Sequence, residues 1–297
     1  MKERQSILLV LISAAFWGAA GIFVRGLNNF GITEMQIVFC RAVVTVLIFG
    51  IILLLTDKTL FKIKPKDLWA FAGIGILSIV MFNFCYYKTM KLSTLSVAAI
   101  MLYTAPFFVI ILSRILFKEA ITVKKALACI IAFIGCCFVV GIFSGSNSIG
   151  GKGIVYGLLT GFGYGLYTIF GNILIKKGYK TLTINFYAFV FAALGSLAFS
   201  NPLYTMRTVS ASKLTLLLVF GMAVVNTVIP YITYTAALKN IEGSKALIIA
   251  TLEPVVATIL GVAVYKEKLG IIGILGIILV LGSVIMLNSK IGEKNEN

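Results

Sequence analysis

Apolar residues run along this chain in long unbroken blocks. Stretches near 6–27, 32–55, 68–90, 93–116, 123–143, 152–175, 182–200, 212–238, 243–265 and 269–289 are dominated by Leu, Ile, Val, Phe, Ala and Gly, with short polar segments between them. A run of about 20 such residues, rising ~1.5 Å per residue as a helix, crosses ~30 Å of hydrocarbon. The period-two alternation of a membrane strand is absent, so helices are the structure that can satisfy the backbone in lipid. The pattern predicts an all-α polytopic membrane protein of ten transmembrane helices, with no room for a soluble domain.

Composition agrees. The chain is 60% hydrophobic and 12% charged, with a mean hydropathy of +1.06, outside the range of soluble domains. The opening MKER, an apolar run and the small residues Ser13–Ala15 look like a signal peptide. The run continues to Val24 and further spans follow, so an uncleaved first helix is expected. The net charge of +16 is a matter of topology. With the N-terminus inside, most Lys and Arg residues, Lys58, Lys62, Lys64 and Lys66 among them, fall in cytoplasmic segments. That bias predicts a multi-pass plasma (inner) membrane protein with both termini cytoplasmic. No basic patch interleaved with aromatics stands apart from it, so nucleic acid is not an expected partner. The cysteines Cys40, Cys85, Cys129, Cys136 and Cys137 all lie in apolar spans without metal-ligand spacing, and the chain has no His. They read as small buried hydrophobes; neither a metal nor a cofactor is expected.

The chain also repeats itself. Sliding the sequence by 148 positions sets Tyr86 on Tyr234, Lys91 on Lys239, Ser96 on Ser244, Pro106 on Pro254 and Lys118-Glu119 on Lys266-Glu267. A slide of 147 sets Ser13 on Thr160, Trp17-Gly18 on Tyr164-Gly165 and Gly21 on Thr168. Two five-span halves, 1–145 and 146–297, follow; an odd span number makes the second copy inverted. Inverted repeats are a mark of alternating-access transporters, whose site lies near the midplane between the halves.

These residues carry a family resemblance. FWGAAGIFVR in the first span, Arg41 in the second and the duplicated blocks Pro106…Glu119 and Pro254…Glu267 resemble the EamA family of the drug/metabolite transporter superfamily. The likeness spans about 10–290. It implies ten helices and, most often, export of amino acids or related metabolites, although the family also moves nucleosides, drugs and other solutes.

Helical spacing aligns the polar residues into faces. Ser13, Trp17 and Gly21 line up in the first span; Thr160, Tyr164, Tyr167 and Thr168 do so in the sixth. The third offers Asn83, Tyr86 and Tyr87, and the eighth Asn226, Thr227, Pro230, Tyr231 and Tyr234; Tyr103 lies one turn before Pro106. Polar groups in a bilayer face inward unless paired. Rings with polar tips suit an apolar pocket that holds an organic solute by a few directed bonds. Helix packing and interfacial anchoring are the competing explanations, favoured for Tyr156, Tyr179, Tyr187 and Tyr204 near span ends. The expected substrate site is therefore Trp17, Asn83, Tyr86, Tyr103, Tyr164, Tyr167, Asn226, Tyr231 and Tyr234.

Pro106, Pro230 and Pro254 each free a backbone carbonyl and can kink their helices. Glu119 and Glu267 close helices, tie loops or serve as gates. Gly157, Gly161 and Gly165 have the spacing for close helix approach. Two ionisable groups fall deep inside spans. Arg41 would hold a carboxylate, of a substrate or of a neighbouring helix. Glu253 must find a cation, exchange a proton or face water, and its repeat position is Ala105.

The expected function is secondary transport of a small solute, with protons as a candidate coupling ion. No Walker A sequence is present to use ATP. An intramembrane enzyme would need a nucleophile–base pair or metal site of which there is no sign. A multidrug cation exporter is the rival within transporters; the superfamily's small multidrug pumps use a first-helix carboxylate, which is lacking between Ser6 and Val24.

Overall fold

The computed structural model of the chain describes residues 3–141 and 150–289. Among them, 10 helical segments are long and apolar enough to cross a membrane: Glu3–Asn28, Glu34–Thr56, Pro65–Leu92, Leu95–Phe117, Val123–Val140, Gly151–Lys176, Thr181–Ser200, Lys213–Ala237, Gly243–Tyr265 and Ile271–Asn288. We number them spans 1 to 10. The described residues contain no strand. Each span matches its apolar block to within a few residues; the expected end of span 5 at 143 lies outside the described residues. Local chemistry sets the boundaries. Thr33 and Gln36 form a capping box at the start of span 2, Thr122 accepts from the Lys125 N–H at span 5, and Gly141 ends that span at φ 73°.

The helices pack as two inverted five-helix repeats. Span 1 lies against spans 8 and 9, as span 6 lies against spans 3 and 4; span 2 runs along span 7 and span 5 along span 10. Exchanging every span for its repeat mate maps this arrangement onto itself. Glycines permit the closest crossings. A Cβ on Gly18 would sit 2.8 Å from the Glu253 carbonyl, and one on Gly165 would sit 3.4 Å from that of Ala105, the repeat position. Gly135 and Gly276 likewise meet backbone to backbone where spans 5 and 10 cross.

Several spans are interrupted, two of them at prolines marked in the sequence as able to kink their helices. Span 4 divides into Leu95–Leu102 and Ala105–Phe117, and span 9 into Gly243–Ala250 and Glu253–Tyr265. The second halves open on Pro106 and Pro254, whose missing N–H cannot continue the ladder; tight bonds such as Thr104 N to Met101 O (3.2 Å) and Leu252 N to Ile249 O (3.2 Å) bridge the gap. Span 1 divides at Ala19, so Gly21 no longer shares a continuous helical face with Ser13 and Trp17. Spans 3 and 8 widen into i→i+5 turns at Gly73–Met81 and Val224–Val228. The second of these lies just before Pro230, and a shift of 148 places the two over each other.

Candidate functional site

These interruptions gather around one point. Trp17, Ser78, Phe82, Tyr164, Tyr167, Thr168, Tyr231, Tyr234 and Leu247, drawn from spans 1, 3, 6, 8 and 9, line a central cavity. The rings meet edge to face or tilted: Trp17 stands 5.4 Å from Tyr231, 5.2 Å from Tyr234 and 6.3 Å from Tyr164, and Tyr167 4.9 Å from Tyr231. The free space they leave is about the size of one water molecule. A second, narrower void, lined by Tyr103, Pro106, Leu102, Ala250 and Thr251, shares Tyr164 and Leu247 with the first.

Hydrogen bonds lock this cage. The Tyr167 hydroxyl lies 2.6 Å from both the Asn185 carbonyl oxygen and the Thr235 hydroxyl, and the Asn185 amide donates to the Tyr231 carbonyl (3.2 Å). Tyr234 pairs with Thr168 at 2.8 Å. The Asn226 amide donates to the Phe16 and Trp17 carbonyls at 2.8 and 3.2 Å, supplying a donor where span 1 breaks. Ser13 donates to the Pro230 carbonyl at 3.0 Å, joining span 1 to span 8. Net gain per such bond is about 1 kcal/mol, but an unmade bond in lipid costs more.

Of the residues marked from sequence, Trp17, Tyr164, Tyr167, Tyr231 and Tyr234 line the central cavity, and Tyr103 with Pro106 lines the adjoining void. Tyr86 lies outside both linings, 6.2 Å from Phe82, whose ring reaches Tyr164 at 5.5 Å. Asn83 turns back onto its own helix, donating to the Ile79 carbonyl at 2.7 Å. Asn226 braces backbone rather than lining the cavity. Sequence reasoning passed over Asn185, Phe82, Leu247 and Thr235. Asn185 carries a signal, as a buried amide within an apolar span; Phe82 and Leu247 carry none.

The two deep charges differ from their surroundings. The Tyr164 hydroxyl donates to Glu253 at 3.0 Å, and no cation among the described residues pairs with that carboxylate. Arg41 is 8% exposed, its Nε has no partner among the described residues, and no carboxylate among them forms an ion pair with it.

The repeat mates Glu119 and Glu267 also take different partners. Glu119 accepts from the Ser244 hydroxyl (2.7 Å) and the Gly243 N–H (3.3 Å), closing the start of span 9. Glu267 instead pairs with Arg25 at 2.7 Å, and Arg25 lies over the Tyr265 ring. Its counterpart of Ser244, Ser96, donates to the Val140 carbonyl. Ties accumulate at the end of the bundle where the described termini lie. Lys125 meets Glu242, Lys245 meets Glu3, and Asp67 takes both Lys177 and the Tyr179 hydroxyl. Burial raises the Tyr179 phenol above its ordinary value, keeping it a neutral donor. At the far end Arg25–Glu267 is the one ion pair among the described residues.

A model of the EamA-like transporter family matches this chain twice, over residues 4–141 and 151–289. An uncharacterized transporter of Archaeoglobus fulgidus is 26% identical over 268 residues, 88% of this chain and 91% of its own. The uncharacterized transporter YyaM of Bacillus subtilis is 29% identical over 225 residues, 72% of this chain and 71% of its own. A solved crystal structure with 14% identity superposes at a TM-score of 0.81 over 97% of both chains, a likeness of fold.

Proposed function

This chain belongs to the EamA-like transporter family, and from that premise we propose that it is a secondary exporter of amino acids or closely related solutes, working by alternating access in the plasma membrane with both termini cytoplasmic. The observation that carries the reading is the aromatic cage at the interface of the two inverted repeats, where broken helices meet. Such a site, closed down to about the size of a water molecule, fits a resting carrier whose pocket opens toward one side at a time. Trp17, Tyr103, Tyr164, Tyr167, Tyr231 and Tyr234 then grip the solute, and Tyr86, Asn83 and Asn226 hold the helices that carry them. Glu253, bonded to Tyr164 and to no cation among the described residues, is the group that takes and releases a proton as the solute leaves. Pro106, Pro230 and Pro254 set the bends about which the halves move, and Glu119 and Glu267 tie the two ends.

One observation favours a second reading. A carboxylate without a cation, set among Trp and Tyr rings, also suits an organic cation, as in a multidrug exporter. Protein reconstituted in proteoliposomes, loaded in turn with labelled amino acids, nucleosides and quaternary amines, separates the two. Efflux of one or more amino acids, faster with an opposing proton gradient, is the expected result. Efflux of quaternary amines alone would replace the amino-acid reading, and no efflux of any solute would refute transport.

A further inference from the structure

Buried polar atoms without partners are rare, because each forfeits its bonds to water for nothing. Among the few in the described residues, two lie one helical turn apart on span 2: the Arg41 Nε and the Thr45 hydroxyl. Thr45 is fully buried and Arg41 nearly so. Positions i and i+4 share a helix face, so both polar groups point the same way. The Tyr231 phenol lies within electrostatic reach of the Arg41 guanidinium, and its hydroxyl bonds to no described residue. Tyr231 itself lines the central cavity, its ring 5.4 Å from Trp17 and 4.9 Å from Tyr167, whereas Arg41 and Thr45 are not among the lining residues.

The set is unbalanced. A guanidinium donates and cannot accept, and the Thr45 and Tyr231 hydroxyls have protons to give. The one carboxylate in the neighbourhood of the cage, Glu253, is engaged by Tyr164. The fold itself does not require this polarity. The repeat mates of Arg41 are Ala188 or Phe189, and those of Thr45 are Ala192 or Ala193, depending on whether the shift is 147 or 148; all are apolar. Span 7 thus packs in the same architecture without these groups.

We infer that Arg41, Thr45 and Tyr231 form a subsite for a carboxylate group of the transported solute. A carboxylate offers two oxygens in the plane of the guanidinium fork, the geometry a bidentate pair uses, and leaves lone pairs for the two hydroxyls. The rest of the solute lies toward Trp17 and Tyr167, on the cage side of Tyr231. Arg41 is then the residue that sets specificity for acids over amides and amines. Lys in its place keeps the charge but loses the fork.

This rests on the transport reading, and the test separates the two. Purified full-length protein is challenged with the common L-amino acids, succinate and pyruvate, each beside its primary amide, and with phosphoserine; binding is read by thermal shift and by labelled-ligand titration. At least one acid is expected to bind wild type at least about tenfold more tightly than its amide. Arg41→Lys abolishes that preference while leaving the weak binding of the amide in place, and Thr45→Val lowers it several-fold. If Arg41→Lys does not elute as folded protein, wild type and Thr45→Val decide. Equal binding of acid and amide by wild type overturns the inference. So does an equal loss of both in Arg41→Lys, or binding of phosphoserine through its phosphate with no carboxylate preference. Transport of a neutral or cationic solute with no acid preference would sink the subsite and leave the carrier standing. Acid-selective binding without efflux from proteoliposomes would do the reverse.

Discussion

Glu119 and Glu267 occupy matching positions in the two repeats, yet the structure assigns their carboxylates very different work. Glu119 accepts two bonds at the first turn of the half-helix Gly243–Ala250, from the Ser244 hydroxyl at 2.7 Å and the Gly243 N–H at 3.3 Å. A bond to a charged acceptor is worth about 1.5–3 kcal/mol against about 0.5–1.5 for a neutral one, and a carboxylate at a helix N-terminus adds about 0.3–1 kcal/mol. Glu119→Gln keeps one neutral acceptor and the side-chain shape, so the loss is about 1–2 kcal/mol. If these bonds hold span 4 to span 9 only in the state closed at this end, that loss favours opening about 5–30-fold. Glu267→Gln breaks a pair whose side chains are 50% and 47% exposed, for which about 0–1 kcal/mol is the usual value, a shift below about fivefold.

The cavity wall supplies the reporter. Leu247 is 3% exposed and lies one turn beyond Ser244. In a Leu247→Cys background, we predict that a water-soluble maleimide labels the Glu119→Gln protein about 5–30 times faster than its parent. Glu267→Gln should label at nearly the parental rate. Identical rates for the parent and Glu119→Gln would refute the reasoning, since the carboxylate would then be a local cap with no hold on the state of the carrier. Equal acceleration by both substitutions would show that general loosening, and not this particular tie, opens the cavity.

Three other outcomes follow from the same contacts. Glu253→Gln preserves the shape that Tyr164 meets at 3.0 Å but cannot titrate, so efflux in proteoliposomes should lose its response to a proton gradient; a response as steep as wild type would remove Glu253 from coupling. Gly135→Ala places a methyl 2.9 Å from the Gly276 carbonyl and should lower the melting temperature by several degrees, whereas Gly282→Ala, with nothing within 4 Å, should be neutral or raise it slightly through helix propensity; equal melting temperatures would mean that the crossing of spans 5 and 10 is looser than described. Asn185→Ala removes a shared acceptor for Tyr167 and Thr235 and a donor to the Tyr231 carbonyl, and should cost about 1–3 kcal/mol; unchanged thermal stability would mean the cage is held by ring packing alone.

The ten spans and their inverted pairing were readable because lipid imposes a length rule and the duplication is written in matching residues such as Pro106 and Pro254. Helical spacing also put Tyr164, Tyr167, Tyr231 and Tyr234 on inward faces. Other features depend on contacts between distant residues. The break at Ala19 lies beside no proline, and Asn226, far along the chain in span 8, supplies the donor that its carbonyls need. Asn83 looked like a partner for solute because its amide lies one turn from Tyr86 and Tyr87; in the folded protein its own Ile79 carbonyl satisfies it. Phe82 and Leu247 are two apolar residues among many, and only the assembled helices turn them to the cavity.

The duplication provides an internal control for deciding which buried polar groups serve packing. Some residues kept in both halves do the same mechanical work: Pro106 and Pro254 begin the second halves of broken spans, and Lys118 and Lys266 end them in the same left-handed conformation, at φ 60° and 58°. Such a conformation is unfavourable for a side-chain-bearing residue, so its recurrence at both ends marks a bend required by the architecture. Where the halves differ, architecture is no longer a sufficient reason. Glu253 faces Ala105 across the repeat, and Arg41 and Thr45 face apolar residues of span 7, although the surrounding helices cross in equivalent ways. A charge kept deep in a span, at a position the other half fills with an apolar side chain, is not demanded by the packing the two halves share. Glu253 bonds to Tyr164 and Arg41 lies within electrostatic reach of Tyr231, two residues that line one cavity, and the two charges form no ion pair with each other. A carrier that binds its solute at one pole and a proton at the other needs that separation, because a direct ion pair between them would compete with both.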